Sequence, residues 1–442
     1  MRPLQRREAL HAVAGVLTAA ALPGGLTAGV AVASEHSEKR PLPFAPNDIS
    51  PADLARNETY WESVAKHYTR ARGLVNLEHG YWGKMAAPVR DAYIAATVEV
   101  NDQSSIYGRK QFRIDAVESR RRVAQALGVS DDEIVLTRNA TEAVHNLIRQ
   151  YRGLEAGDQI LYTDIDYPAF KRTMAWLEEA RGVTPLVIDL PARVSESEIL
   201  ASYERAFDEN PRLKLMLLTH ASNQHGLVLP VAKIASMARE HGIAVIGDCA
   251  QSWGLIDFRA PELGVDWIGF NIHKWIGSPI GVGALYMRRG TLDPVAPYPG
   301  ETDPQGANPS ARIHTGTSNF AALASVPAAL DFHEAIGAPN KEARLRYLRS
   351  LWTDEAEKLA HIEVLGGREE ASWSGMAAFR LRGRTSEDDA HKLQRRLEEE
   401  FGIFTVVRNG LAGGSCVRVT PQVFTTPNEL DQLVDALRKL KA

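Results

Sequence analysis

The sequence predicts an α/β protein, with a mostly parallel central sheet carrying helices on both faces and a smaller C-terminal α+β domain behind it. Three observations lead there. From Glu133 onward, short apolar or β-branched runs alternate with helix-length amphipathic segments. The runs are largely apolar, as strands covered on both faces are, and do not alternate strictly between polar and apolar. After about Ala321 the regular alternation gives way to a looser mixture of helices and strands.

The strand-like runs of the first part are 133–137, 159–162, 213–218, 244–248, 267–270 and 283–287. Helical patterns lie between them at about 140–150, 169–181, 195–209 and 231–241. In such a sheet ligands bind beyond the carboxyl ends of the strands. In the second part, helices are expected at 321–336, 340–361, 386–401 and from Asn428, with strands at 376–381, 404–407 and 416–420. The expected division is a large domain over 58–320 and a small domain over 321–442, with 55–119 packing against both.

The start of the chain reads differently. Arg6-Arg7 precedes a run from Ala9 to Ala33 whose one ionisable side chain is His11, and Ala31-Val32-Ala33 supplies small residues before Ser34. This is the plan of a secretory signal of the twin-arginine kind over 1–33. Ala9 stands where such signals usually carry a bulkier residue, and Pro23-Gly24-Gly25 interrupts the run, so a retained anchor is the competing reading. Residues 34–57, polar and proline-rich, read as a tether. The localisation expected is periplasmic or otherwise exported, with no membrane association after signal cleavage.

With 442 residues, 44% hydrophobic and 24% charged, the chain is long enough for two domains. A formal charge of −4 gives no global electrostatic reason to expect nucleic acid or an anionic membrane as partner, and a small neutral or zwitterionic substrate fits at least as well. Cys249 and Cys416 lack any metal-binding context and read as small core residues, so no metal site is expected.

The chemistry is concentrated in Asp248-Cys-Ala-Gln251 and Asn271-Ile-His273-Lys274-Trp275. Asp248 ends one predicted strand and Lys274 follows the next. A carboxylate at a buried strand end needs a partner cation, so a purely structural Asp248–Lys274 ion pair is one reading. Pyridoxal 5′-phosphate makes a sharper demand: an amine to bind its C4′ and a carboxylate to keep its ring nitrogen protonated. Arg138-Asn-Ala-Thr-Glu142, between a strand and a helix, offers free N–H groups to a phosphate, although Asn139 or Thr141 there could be only a helix cap.

Together these strings resemble the cofactor motif of the class V aminotransferase family of pyridoxal-phosphate enzymes, and Asn271-x-His-Lys-Trp275 is most similar to its isopenicillin N epimerase branch. Asp166-Tyr167, Gly226-Leu-Val-Leu-Pro230, Thr315-Gly-Thr-Ser-Asn319 and Arg418 before Thr426-Pro-Asn-Glu-Leu-Asp431 match in the same order. The resemblance covers roughly residues 70–440 and implies the fold type I architecture of these transferases.

It further implies that Lys274 carries the cofactor as a Schiff base, Asp248 pairs with the pyridinium nitrogen and Gln251 bonds the ring hydroxyl oxygen. Ala140 and Thr141 would hold the phosphate, with Asn271 and His273 nearby, and Tyr167 would stack on the ring unless it is a core aromatic. Thr317 would reach the phosphate of a second subunit, which implies a homodimer with shared sites; an ordinary Gly-Thr turn is the alternative. Arg418 would clamp the substrate carboxylate, Arg408 is a second candidate, and Asn223 lies in a loop facing the cofactor.

The reaction implied is at the α carbon of an amino acid or amino-acid moiety, an aminotransferase or epimerase tailoring a small molecule or peptide product after export. Folded export suits an enzyme that loads its cofactor in the cytoplasm. Epimerisation needs a second acid, for which His273, Tyr167 and His225 are available. A carbon–sulfur or other β-eliminating lyase is the alternative, and a non-catalytic binding protein a further one. Loop 409–414, Asn-Gly-Leu-Ala-Gly-Gly, carries no thiol where cysteine desulfurases place theirs, which weakens a persulfide relay. Substrate-facing residues are expected from 76–83 and 103–109.

Overall fold

A computed structural model describes residues 40–301 and 308–440. The export signal expected at 1–33 lies outside the described residues. Among the described residues no helix is long and apolar enough to cross a membrane.

The central sheet has seven strands among these residues. In chain order they are β1 (Ile134–Thr137), β2 (Gln159–Thr163), β3 (Thr184–Ile188), β4 (Leu213–Thr219), β5 (Ala244–Cys249), β6 (Trp267–Asn271) and β7 (Gly283–Met287). Their order across the sheet is β1-β7-β6-β5-β4-β2-β3. Neighbours from β3 to β6 run parallel, and β7 is antiparallel to both β6 and β1.

The apolar runs bury both faces. Leu215, Leu217 and Ile246 point to the core under the helices Ala140–Gln150 and Pro168–Arg181, while Met216, Leu218 and Val245 belong to the core on the other side. Alternation of the Cβ direction along a strand divides them this way. β3 was not among the expected strands because Pro185 interrupts its pattern. It lies at the sheet edge, paired on one side only, where the missing N–H is tolerated.

The second sheet contains β8 (Ile362–Gly367), β9 (Ala377–Leu381), β10 (Val406–Arg408) and β11 (Cys416–Val419). Its order is β10-β11-β9-β8, extended by the two residues Arg193–Val194. The expectation missed β8 because the helical pattern was read through to His361, whereas that helix, Ala338–Ala356, ends earlier.

Residues 41–57 correct the expected tether. Ala45 N–H donates to the Ala335 carbonyl at 2.9 Å, the Tyr60 hydroxyl bonds the Pro43 carbonyl at 2.9 Å, and Leu54 is buried. Composition misled here because a few apolar residues and backbone bonds suffice to dock a proline-rich segment. The buried Arg344 guanidinium, which bonds Glu58, the Ala55 carbonyl and the Thr425 carbonyl, ties this segment to the chain's last third. Further on, Val75–Asn76 pairs in parallel with Ile403–Phe404.

Two glycines set how closely the helix Ala140–Gln150 meets the sheet. A Cβ on Gly283 would lie 2.6 Å from the Asn139 Cα, and one on Gly269 would lie 2.7 Å from a Val144 methyl. Gly283→Ala is therefore expected to lower stability by roughly 1–3 kcal/mol through overpacking. Urea unfolding measures this, and an unchanged midpoint would show that the helix start can yield.

Candidate active site

The carboxyl ends of β5 and β6 and the start of the helix Ala140–Gln150 open on a cavity of about 430 Å³. Asp248, Gln251, Asn271, His273, Lys274, Thr141, Tyr167, Asn223, Arg408 and Arg418 all line it. Residues distant in sequence thus meet where a doubly wound sheet places its ligand.

Asp248 is buried and accepts the Ala250 N–H at 2.9 Å. Burial pushes its pKa up to about 6, opposed by that N–H and by the Lys274 charge. For Lys274, burial pulls the amine down to about 8; the Asp248 charge opposes this, and Arg418 and Arg408 add to it. Among the described residues the Lys274 amine has no hydrogen bond and no carboxylate within ion-pair distance. The structural ion pair is therefore not formed. An amine and an acid face one cavity without touching, and burial holds the amine near the pH at which it is a nucleophile.

The turn carrying Lys274 is held on three sides. Gly83 N–H donates to the His273 carbonyl at 2.8 Å, and a Cβ on Gly83 would fall 1.6 Å from the Lys274 carbonyl oxygen. His273 Nδ1 lies 2.7 Å from the Val282 carbonyl. Burial lowers the His273 pKa to about 4, so the ring is neutral, Nδ1–H donates to the carbonyl and Nε2 is an acceptor. Trp275 Nε1–H donates to Gln251 Oε1 at 2.9 Å. Gln251 Nε2 donates to the Gly80 carbonyl at 2.9 Å, which leaves its second N–H for a ligand.

The cradle differs from expectation in one donor. Ala140 is fully buried and gives its N–H to Asn271 Oδ1 at 2.8 Å, so it offers nothing to a phosphate. Asn139 caps the helix by accepting the Glu142 N–H at 2.8 Å. Thr141 and Asn139 line the cavity, and the helix start keeps its electropositive end toward it. Asn271 is thus a strut between β6 and the helix.

Tyr167 is 39% exposed, packs edge-on against Phe170 and stands at the cavity wall, not in the core. His225 is buried and does not line the cavity. Thr317 lies in an exposed bend outside it, and residues 103–109 line neither this cavity nor its neighbour. Segment 76–83 does contribute, through Gly80, Tyr81 and Trp82.

Arg418 is not the open fork expected. Its guanidinium is 0% exposed; Nη2 donates to Glu78 at 2.7 and 2.9 Å, and Nη1 donates to the Asn223 carbonyl at 2.6 Å. No spacing or motif marked Glu78, one acid in an ordinary Leu-Glu-His string. Arg408 sits beside the pair, 3.9 Å from Glu78, and also lines a second cavity of about 610 Å³ that continues past Tyr81 and Trp82.

Loop 409–414 is fastened to the rest of the fold. Lys171 bonds the Gly410 carbonyl at 2.9 Å, Gln224 accepts the Gly410 N–H at 3.2 Å, and Asp164 accepts the Ala412 N–H at 2.9 Å. Cys249 and Cys416 are buried and unpaired, and burial raises both thiols well above their ordinary value.

Residues 89–433 match the family model for aminotransferase class-V. The chain belongs to that family. The isopenicillin N epimerase of Streptomyces clavuligerus is 29% identical over 345 residues, covering 73% of this chain and 84% of the relative. A cysteine desulfurase of Haloferax volcanii is 28% identical, covering 72% and 76%. Two solved structures share the fold: a C-DES mutant with glycine covalently linked to its PLP cofactor (TM-score 0.73, 22% identity, 84% of this chain and 97% of the other) and the Escherichia coli cysteine desulfurase CsdA (TM-score 0.73, 20% identity, 86% and 98%). The architecture is the fold type I arrangement, and the cofactor of this class V enzyme is pyridoxal 5′-phosphate. The chain's residues fit that group: an unbonded amine, a buried acid, a spare Gln251 N–H and a helix start line one cavity.

The buried acid is costly to the empty protein. Because the folded pKa of Asp248 is raised, its contribution to stability is complete below about pH 4 and is lost as pH rises through about 6. Asp248→Asn should therefore stabilise the cofactor-free protein at pH 7.5 by roughly 3 kcal/mol and give little gain at pH 4, while weakening cofactor retention. Urea melts at both pH values check the sign; a variant less stable than wild type at pH 7.5 would contradict the assignment of the burial cost.

Proposed function

We propose that this class V enzyme acts at the α carbon of an amino acid or amino-acid moiety as an aminotransferase, with epimerisation as the closest variant of the same proton chemistry. The observation that carries the reading is the Lys274 amine, unbonded, in a cavity shared with buried Asp248. When bound, the cofactor supplies an electron sink that weakens bonds at the substrate's α carbon. Lys274 would hold it and, once released, move the proton. Asp248 would pair with the ring nitrogen, Gln251 would donate its spare N–H to the ring oxygen, and Tyr167 would cover the ring face. Thr141 and the helix start would hold the phosphate, with neutral His273 nearby as an acceptor.

A Cα proton delivered to another atom of the cofactor gives transamination; returned to Cα from the opposite face, it gives inversion. His273 and Tyr167 line the cavity and are the groups available for that second face, whereas His225 is not. A carbon–sulfur or other β-eliminating lyase is the second reading, favoured by the likeness to desulfurase relatives. The pinned, thiol-free loop 409–414 and the two buried cysteines speak against a version that uses an enzyme persulfide.

A homodimer with shared sites belongs to this proposal. Its support is a set of exposed apolar side chains, Ile94 and Val98 on one helix and Ile114 and Val117 on another, together with Thr317 standing outside its own chain's cavity. Export by the signal at 1–33 is likewise proposed, with tailoring of a finished small molecule or peptide as its purpose.

Incubating cofactor-loaded protein with L- and D-amino acids in deuterium oxide tests the reaction. Exchange of the Cα hydrogen is expected, with keto acid as the product of transamination, inverted amino acid for epimerisation, and ammonia with pyruvate for elimination. Lys274→Ala should reduce exchange at least roughly a hundredfold, the usual range for loss of a proton-transfer group. Exchange that persists in that variant would remove Lys274 from the mechanism.

A further inference from the structure

Behind the turn that carries Lys274 lies a second buried lysine, one that takes no part in the chemistry proposed above. Lys341, near the start of the helix Ala338–Ala356, is 5% exposed and directs its amine at the carbonyl of Trp275, the residue after Lys274, at 2.6 Å. The same amine lies 3.1 Å from Nδ1 of His333, itself buried on the helix Val326–Ile336. Burial drives the His333 pKa well below its ordinary value, so the ring is neutral and Nδ1 accepts. Among the described residues no carboxylate comes within ion-pair distance of Lys341, and burial pulls its amine down to about 7. One turn along the same helix, by contrast, buried Arg344 meets Glu58 at 2.5 and 2.9 Å. Lys341 is thus costly where it stands. An amine keeps at least two N–H groups in either protonation state, so both of its contacts persist as it titrates.

What that amine holds is Trp275. Among the described residues the Trp275 carbonyl accepts from no other donor, and the side chain is buried with its Nε1–H on Gln251 Oε1 at 2.9 Å. On the other side the turn is closed by Gly254, where a Cβ would lie 2.8 Å from the Trp275 carbonyl carbon. The indole bond decides which way round the Gln251 amide sits. With Oε1 taken by the indole and one N–H on the Gly80 carbonyl at 2.9 Å, the remaining N–H is left for a ligand of the cavity that Gln251 lines. Turned over, the amide would set its N–H groups against the indole N–H and its oxygen against the Gly80 carbonyl, exchanging two hydrogen bonds for two repulsions.

We propose that Lys341 is a positioning residue: by holding the Trp275 carbonyl it fixes the indole that orients Gln251, so that the site presents an N–H, and not the amide oxygen, to the ring oxygen of the cofactor. Three side chains in series then connect the helix Ala338–Ala356 to the cofactor site through the turn of Lys274. This inference rests on the reading of the site as a pyridoxal-phosphate site and deepens it. The ring oxygen carries negative charge when the cofactor is joined to Lys274, and an N–H donated to it stabilises that charge. The oxygen is then a poorer acceptor for the proton on the joining nitrogen, which is lost at lower pH.

The pH titration of the visible cofactor band, read on protein loaded with pyridoxal 5′-phosphate, tests the assignment and requires no substrate. Gln251→Leu should raise the midpoint by roughly one pH unit, the usual worth of a hydrogen bond to a charged group. Lys341→Met, similar in length and without a donor, should move it in the same direction. So should Trp275→Phe, which removes the indole N–H. In the Gln251→Leu background Lys341→Met should add nothing, because the link it supports is already gone. A lysine that only stabilised the fold would shift the urea midpoint of unfolding and leave the cofactor titration where it was. The proposal is overturned by an unmoved titration in Gln251→Leu or Lys341→Met, or by a Lys341→Met shift that persists in full beside Gln251→Leu. Should Lys341→Met fail to accumulate as folded protein, Trp275→Phe decides alone, an unmoved midpoint there being the contrary result. A wild-type protein with no visible cofactor band would instead count against the cofactor site itself, so the two failures are distinguishable.

Discussion

The helix Ala140–Gln150 must approach the sheet closely enough for its first N–H to reach Asn271 at the end of β6, and the active site depends on that contact. Gly269 and Gly283 make room for it. Once the helix is seated, its electropositive start, the lysine turn after Asn271 and the acid at the end of β5 share one cavity. Moving any one of the three by a side-chain width would separate the groups proposed to hold the two ends of the cofactor. Packing at two glycines therefore underlies a site whose chemistry is carried by other residues.

Much of this was legible in the sequence because its elements are local and strongly patterned. β5 and β6 are largely apolar runs that carry Asp248 and Asn271 near their carboxyl ends, and the helix at 140–150 follows an asparagine cap with a marked apolar face. Those features alone put Asp248, Lys274 and Thr141 at one end of a sheet. β3 was hidden by a proline that only its edge position allows, and the docking of residues 41–57 depends on distant partners such as Ala335.

The site was less legible where function depends on pairs far apart in the chain. Arg418 was found by resemblance, but the state of its guanidinium depends on Glu78, 340 positions earlier, and no spacing rule connects them. Ala140 was assigned a phosphate contact on the same grounds, yet its N–H is satisfied by Asn271. In both cases the structure shows a bonding partner within the protein that the sequence did not indicate. Motifs record which groups are present; they are silent on which donors have already been used.

The segment around Gly83 completes the wall behind Lys274, and just before it Val75–Asn76 is anchored to Ile403–Phe404 and His79 to Thr420. A stretch near the beginning of the described chain is thus held by strands close to its end. Loop closure over more than three hundred residues is slow compared with the local pairing of β4, β5 and β6. The lysine turn therefore acquires its final support only after the last strands have been made. In a chain emerging from the ribosome, the wall behind Lys274 is therefore finished only after Thr420 has been made, and a product truncated before Ile403 would have the strands of the central sheet while lacking that support.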